Sequence, residues 1–169
     1  MAVLEVLRYP NPVLKSKAIL VKGIDSELRS LINDMAETMY ASSAVGLAAP
    51  QVGKLLRVAV VDVTPKAEGK NLIVLINPKI VAKEGETVLE EGCLSVPDYR
   101  EKVKRWARVK VEALDQEGKI QEIEGEGLLS IALQHETDHL KGMLIIDRIS
   151  SLKRSIFKKT MKKQLLAKD

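Results

Sequence analysis

The chain has 169 residues, of which 46% are hydrophobic, 30% charged and 3% aromatic, proportions of a globular protein with an aliphatic core that exclude a disordered or collagen-like chain. One domain is expected, because a chain of this length buries roughly 70% of the surface its unfolded form exposes. The net charge of +4 is modest, a lone cysteine cannot close an internal disulfide, and neither a leader pattern nor a membrane-length apolar run stands out, so a soluble cytoplasmic protein with no membrane association is expected.

In chain order, Asp25 can cap a helix in which Leu28, Leu31, Ile32, Met35 and Met39 recur at helical spacing, ending near Ser42 and Ser43. Residues 44–53 are mostly small, with a proline and two glycines, and predict a loop suited to close backbone approach. Residues 58–63 and 72–76 are nearly continuous apolar runs and predict buried strands on either side of a polar turn. After Pro78, residues 79–82 and 87–89 predict two further short strands. Val109, Val111 and Ala113 alternate with Arg108, Lys110 and Glu112, a strand with one wet face, and residues 120–123 can return as its hairpin partner.

Both histidines of the chain fall in His135-Glu136-Thr137-Asp138-His139. On a helix over 128–141, with Gly125 and Gly127 at its start and Gly142 as a left-handed cap, positions 135 and 139 lie one turn apart on one face. Two imidazoles can then close on one cation beside Glu136, and a position left open for water with a carboxylate next to it makes a site for hydrolysing carbonyl compounds. Leu128, Ile131 and Ala132 precede His135 on that face and predict an apolar wall. With no third histidine, the remaining ligand is a carboxylate or Cys93; thiolate is the better match, since Cys93 follows a strand and a glycine. The competing reading is an ordinary amphipathic helix with a buried apolar cysteine elsewhere.

From Arg148 to Lys168 there are eight Lys or Arg residues and no acid. Ile149, Leu152, Ile156 and Leu165, with Phe157 and Met161 nearby, recur at roughly helical intervals among them, which predicts a basic amphipathic helix.

Three segments together, residues 45–51 (VGLAAPQ), 91–95 (EGCLS) and 135–139 (HETDH), resemble the three motifs of the peptide deformylases, in order and at similar spacing. The likeness extends to residues 9–14 and to Gln134, Leu140 and Gly142, covering residues 1 to about 150. It implies a hydrolase that removes the formyl group from the N-terminal formylmethionine of new polypeptides, with Cys93, His135 and His139 holding one divalent metal ion. Fe(II) is then the expected metal in the cell, with Zn(II), Ni(II) and Co(II) as alternatives. Glu136 would move the proton, and Gln51 and the Leu94 N–H would meet the oxyanion.

The substrate would be an N-formylmethionyl peptide: Val45, Leu89, Leu128, Ile131 and Ala132 would wall the methionine slot, Gly46 would pair with the peptide backbone, and Arg100 would stand at the cleft mouth. Arg105 is expected to pair with Asp138. Ala44 departs from the family glycine; alanine there costs of order 1 kcal/mol if φ is positive, and otherwise narrows the cleft. The basic helix points to the ribosome near the exit tunnel, against the plainer reading of a solvated helix face. The fold implied is a single α+β domain over 1–169, its HExDH helix surrounded by small, mainly antiparallel sheets and its end a basic helix over 148–169. A general HExxH zinc peptidase and an RNA-binding module on a retired hydrolase scaffold are the competing functions.

Overall fold

A computed structural model describes residues 2–167; Met1 and the last two residues of the basic segment, Lys168 and Asp169, lie outside the described residues. Asp25 caps α1 (Ser26–Ala41), its carboxylate accepting from the Leu28 N–H at 2.8 Å. Residues 44–53, expected as a loop, contain a short strand β1 (Gly46–Ala48) and a 3-10 turn (Ala49–Val52). No period could announce a three-residue strand, which exists only because β2 (Val58–Val61) lies antiparallel beside it.

All four residues of β2 are buried because helices cover both of its faces: Val58 and Val60 pack with α1, while Ala59 and Val61 pack into the cluster containing Leu133 and Leu140. The short strands expected at 79–82 and 87–89 are parts of one strand, β3 (Ile73–Cys93), paired antiparallel with β4 (Val96–Leu114). Pro78 interrupts the pattern without ending the strand, since register shifts between Ile76 and Lys79 and again between Ile80 and Ala82 absorb the missing donor. Asn77 adopts a left-handed backbone there, and its side chain bonds both the N–H and the carbonyl of Val21. β5 (Ile120–Glu126) completes the sheet, ordered β1-β2-β3-β4-β5 and antiparallel throughout. The chain is thus α+β, and the small sheets expected around the histidine helix join into one ladder.

That helix, α2 (Leu128–Leu140), lies with ten of its thirteen residues buried. Gly142 follows it at φ +77°, where a Cβ would stand 2.5 Å from the Lys15 carbonyl, so glycine lets the helix end seat on the 3-10 turn Pro12–Lys15.

The basic segment forms α3 (Ser151–Ala167), and only part of its apolar set packs: Ile149 just before the helix, Phe157 and Met161 join a core cluster, while Leu165 is exposed. Leu152 and Ile156 are exposed, at 70% and 56%, while Phe157 is buried between the rings of Tyr9 and Tyr99. An aromatic anchor outweighs the aliphatic period because Phe157 is buried in one cluster with Leu14, Val96, Val103 and Ile145. Arg154, donating to the Ile146 carbonyl at 2.9 Å, and Lys153, paired with Glu101, hold the same orientation. Among the described residues no helix is long and apolar enough to cross a membrane.

Candidate metal centre and substrate cavity

Cys93 is the last residue of β3, where the hairpin turns back through Leu94 and Ser95, and it faces α2. Its Sγ lies 3.4 Å from His139 Nε2, which is 3.2 Å from His135 Nε2. A tetrahedral ion with ordinary bond lengths sets two imidazole nitrogens about 3.3 Å apart and a sulfur about 3.6 Å from each. The three donor atoms, all within 4.8 Å of one another, therefore converge as one cation requires.

Burial pushes the His139 imidazole well below its ordinary pKa, leaving the neutral ring that binds metals. His135 differs: burial would lower it too, but Glu136, Cys93 and Glu91 outweigh burial and raise it. Its Nδ1 lies 3.0 Å from Glu91 Oε1, so Nδ1 carries the proton and Nε2 is turned toward Cys93 and His139. Glu136 Oε1 and His139 Nδ1 are buried with no protein partner among the described residues. An unpartnered carboxylate oxygen beside three convergent donors fits a site that takes a cation and a water.

Gly46 makes room for that carboxylate, since a Cβ there would lie 2.5 Å from Glu136 Oε2. Gln51 is held at both ends of its amide: Oε1 accepts from the Ala48 N–H at 2.9 Å, and Nε2 donates to Ser95 Oγ at 3.1 Å and lies 3.6 Å from Cys93 Sγ. A cavity of about 620 Å³ opens beside these groups. Ile131 and Ala132 line it as buried walls, and the half-exposed Val45, Leu89 and Leu128 form its rim. Gly46, Gln51, Cys93, Leu94, Arg100, His135 and Glu136 also face it, leaving the buried His139 as the one sequence-predicted site residue that does not line it. Ala44 lines the cavity without positive φ, so its methyl group occupies space and carries no backbone strain.

A family model for polypeptide deformylase matches residues 3–155. The chain belongs to the peptide deformylase family. It is 54% identical over 162 residues to the peptide deformylase of Thermodesulfovibrio yellowstonii, covering 96% of this chain and 98% of that one. It is 53% identical over 165 residues to that of Syntrophobacter fumaroxidans, with 98% and 97% covered. Among solved structures, a peptide deformylase from Legionella pneumophila superposes with a TM-score of 0.89 at 45% identity, covering 99% of each chain. One from Ehrlichia chaffeensis in complex with actinonin gives 0.90 at 38% identity, with 97% and 98% covered. The chain is accordingly a metal-dependent enzyme that removes the N-formyl group of nascent polypeptides.

The candidate site also contains groups that no expectation from the sequence named. Glu91 bonds His135 and, through both oxygens, Arg105 at 2.8 and 2.9 Å. Arg105 in turn reaches Asp138 at 2.6 Å, the expected pair. Burial would raise the Glu91 carboxyl, but Arg105 and His135 hold it below the ordinary value. Glu91 was legible in principle, since two residues before Cys93 on a strand it shares that residue's face. Arg148, on Asp138 at 2.7 and 3.0 Å, carried no such signal. Arg8 lines the cavity because the backbones of Leu7 and Tyr9 bond to the Gln51 and Ser95 carbonyls, contacts with no local pattern.

Proposed function

We propose that Cys93, His135 and His139 hold one divalent cation, Fe(II) in the cell with Zn(II), Ni(II) or Co(II) able to replace it, and that Glu136 is the general base of deformylation. The convergence of the three donors beside the unpartnered Glu136 oxygen carries this reading. When bound, the cation supplies a Lewis acid that acidifies water and polarises the formyl carbonyl. Glu136 takes the proton of the attacking water and returns it to the departing amine. Burial lifts its carboxyl to about 7, against the pull of His135 and Arg105, which suits a group that must both accept and give a proton near neutrality.

Gln51, fixed through Oε1, presents its amide hydrogens toward the developing oxyanion, and the Leu94 N–H is the second donor. The methionine side chain enters between Ile131 and Ala132, under the rim of Val45, Leu89 and Leu128. β1 is the edge of the sheet, so an extended peptide can add to it through the Gly46 backbone, a mode that ignores side chains. Arg100, exposed and bonded to Glu90 at 2.9 Å, meets the peptide at the mouth.

The experiment is formate release from a formyl-Met peptide by metal-reconstituted protein, set against Glu136→Ala. The variant should keep its metal and lose about 10²- to 10⁴-fold in turnover; cleavage of a blocked internal peptide, or unchanged formate release by the variant, would defeat the assignment. We take residues 1–169 as one catalytic domain that works in the cytoplasm, with the exposed lysines of α3 meeting ribosomal RNA near the exit tunnel. Phe157 makes truncation a destabilising test, so reversing Lys158, Lys159, Lys162 and Lys163 to Glu is preferred. Ribosome affinity should fall, less so at high salt, while activity on short peptides stays; equal affinity refutes this role for α3.

A further inference from the structure

A second cleft, of about 900 Å³, lies between another face of α2 and the β3–β4 hairpin and shares no residue with the substrate cavity. Its lining is strongly basic. Arg57, Lys79, Lys83 and Lys141 all face it, and none has a carboxylate partner among the described residues. Arg57 is half-buried, and the acceptor found for its guanidinium is the Pro78 carbonyl at 2.6 Å. Burial lowers its pKa, the mark of a cation short of counter-charge. Arg148 adds a further guanidinium, 40% exposed, at the wall where it bonds Asp138.

The same cleft holds the chain's one tryptophan. Trp106 is 44% exposed, although its backbone is pinned: its N–H donates to Gln134 Oε1 at 2.9 Å, and its carbonyl accepts from Gln134 Nε2 and from Ser130 Oγ, each at 2.9 Å. A large aromatic ring carried on an anchored backbone and left partly in solvent is a stacking platform. Lys83 Nζ lies 5.1 Å from the ring centroid, adding charge at that end. Lys79 stands four residues away on the same strand, about 13 Å at the usual rise per residue. The cleft thus has an aromatic end and, a strand's length away, a cationic end.

We propose that this cleft is a second binding site, for a nucleoside polyphosphate, with the base against Trp106 and the phosphates toward Arg57, Lys79 and Lys141. Its volume lies within the range of small-molecule sites, and three cations without a carboxylate partner among the described residues, Arg57, Lys79 and Lys141, match the charge of two or three phosphates. An apolar ligand would leave those cations desolvated without partners, and an inorganic anion would leave the platform unused.

The test is a titration of the full-length, metal-loaded protein with ATP, read by the emission of Trp106, which has no other tryptophan to mask it. Saturable quenching is expected, weakening with salt, reversed by inorganic tripolyphosphate and absent with adenosine at equal concentration. Lys79→Ala with Lys141→Ala, both at exposed positions outside the deformylase site, should bind ATP roughly tenfold or more weakly, as losing charge-assisted contacts predicts. The double variant should release formate at the parent rate without ATP, which shows that it is folded. Absence of saturable quenching, equal affinity in the double variant, or a short RNA oligomer that binds and is not displaced by ATP would each overturn the proposal.

Discussion

Replacing Arg105 with Leu tests whether the ionic network behind α2 stabilises the protein. Arg105 is 5% exposed and joins two carboxylates that are equally buried, Glu91 and Asp138, through bonds of 2.6 to 2.9 Å. Removing one partner of a buried pair costs about 3–5 kcal/mol, because a charge stays behind without compensation. Both carboxylates keep another contact, His135 Nδ1 on Glu91 and Arg148 on Asp138, which puts the loss near the lower end, about 3 kcal/mol. For a chain of this size that is a fall in Tm of roughly 6–12 °C. Calorimetry of the metal-loaded parent and variant at several pH values measures it.

The pH dependence has a definite sign. The folded-state pKa of Glu91 lies below its ordinary value, so its stabilisation is present above the unfolded pKa and is lost as pH falls through the folded one. The gap between parent and Arg105→Leu should therefore be widest near neutrality and narrow in acid. A variant whose Tm stays within about 2 °C of the parent, where roughly 6 °C is the least expected, would refute the reasoning, as would a gap that grows in acid.

Gly46→Ala should displace the Glu136 carboxylate, whose Oε2 sits 2.5 Å from the added carbon, and lower kcat about 10²-fold with metal content unchanged; full turnover would mean that this carboxylate is not the base. Asp62→Asn should cost about 1–3 kcal/mol near neutral pH, since Asp62 accepts from Tyr40 Oη at 2.7 Å and from the Thr64 and Asn71 N–H groups at 2.9 Å. Burial alone would raise the Asp62 pKa, yet those donors hold it below the ordinary value, so chemical denaturation should show the cost fading as pH falls through the acid range. Phe157→Ala should destabilise by about 3–5 kcal/mol and expose α3 to proteolysis, because the ring fills the gap between Tyr9 and Tyr99.

The helices were legible in the sequence because their signals are local. Asp25 and Gly142 sit three or fewer residues from the backbone groups or turns they serve, and the apolar positions of α1 repeat within one element. The histidine pair declared itself for the same reason, being one turn apart on α2. Long-range contacts set what was misread. Pro78 looks like a strand break until β4 supplies the partner across which bulges can form. In α3 the aliphatic period competes with an aromatic cluster assembled from residues 9, 99 and 157, and no window of sequence contains all three.

Residue types and spacing along the chain determined which atoms were available for chemistry: one thiol, two imidazoles on a single helical face, an adjacent carboxylate, and a loop of small residues around Gln51. Tertiary structure alone decided how they meet, placing Sγ 3.4 Å from an imidazole 46 positions away and setting Glu91 behind His135. Local propensity acts over a few bonds and can be read from neighbours. Convergence at a site depends on the register of β3 against β4 and on the packing of α2 across the sheet, interactions that exist only once the whole core has formed.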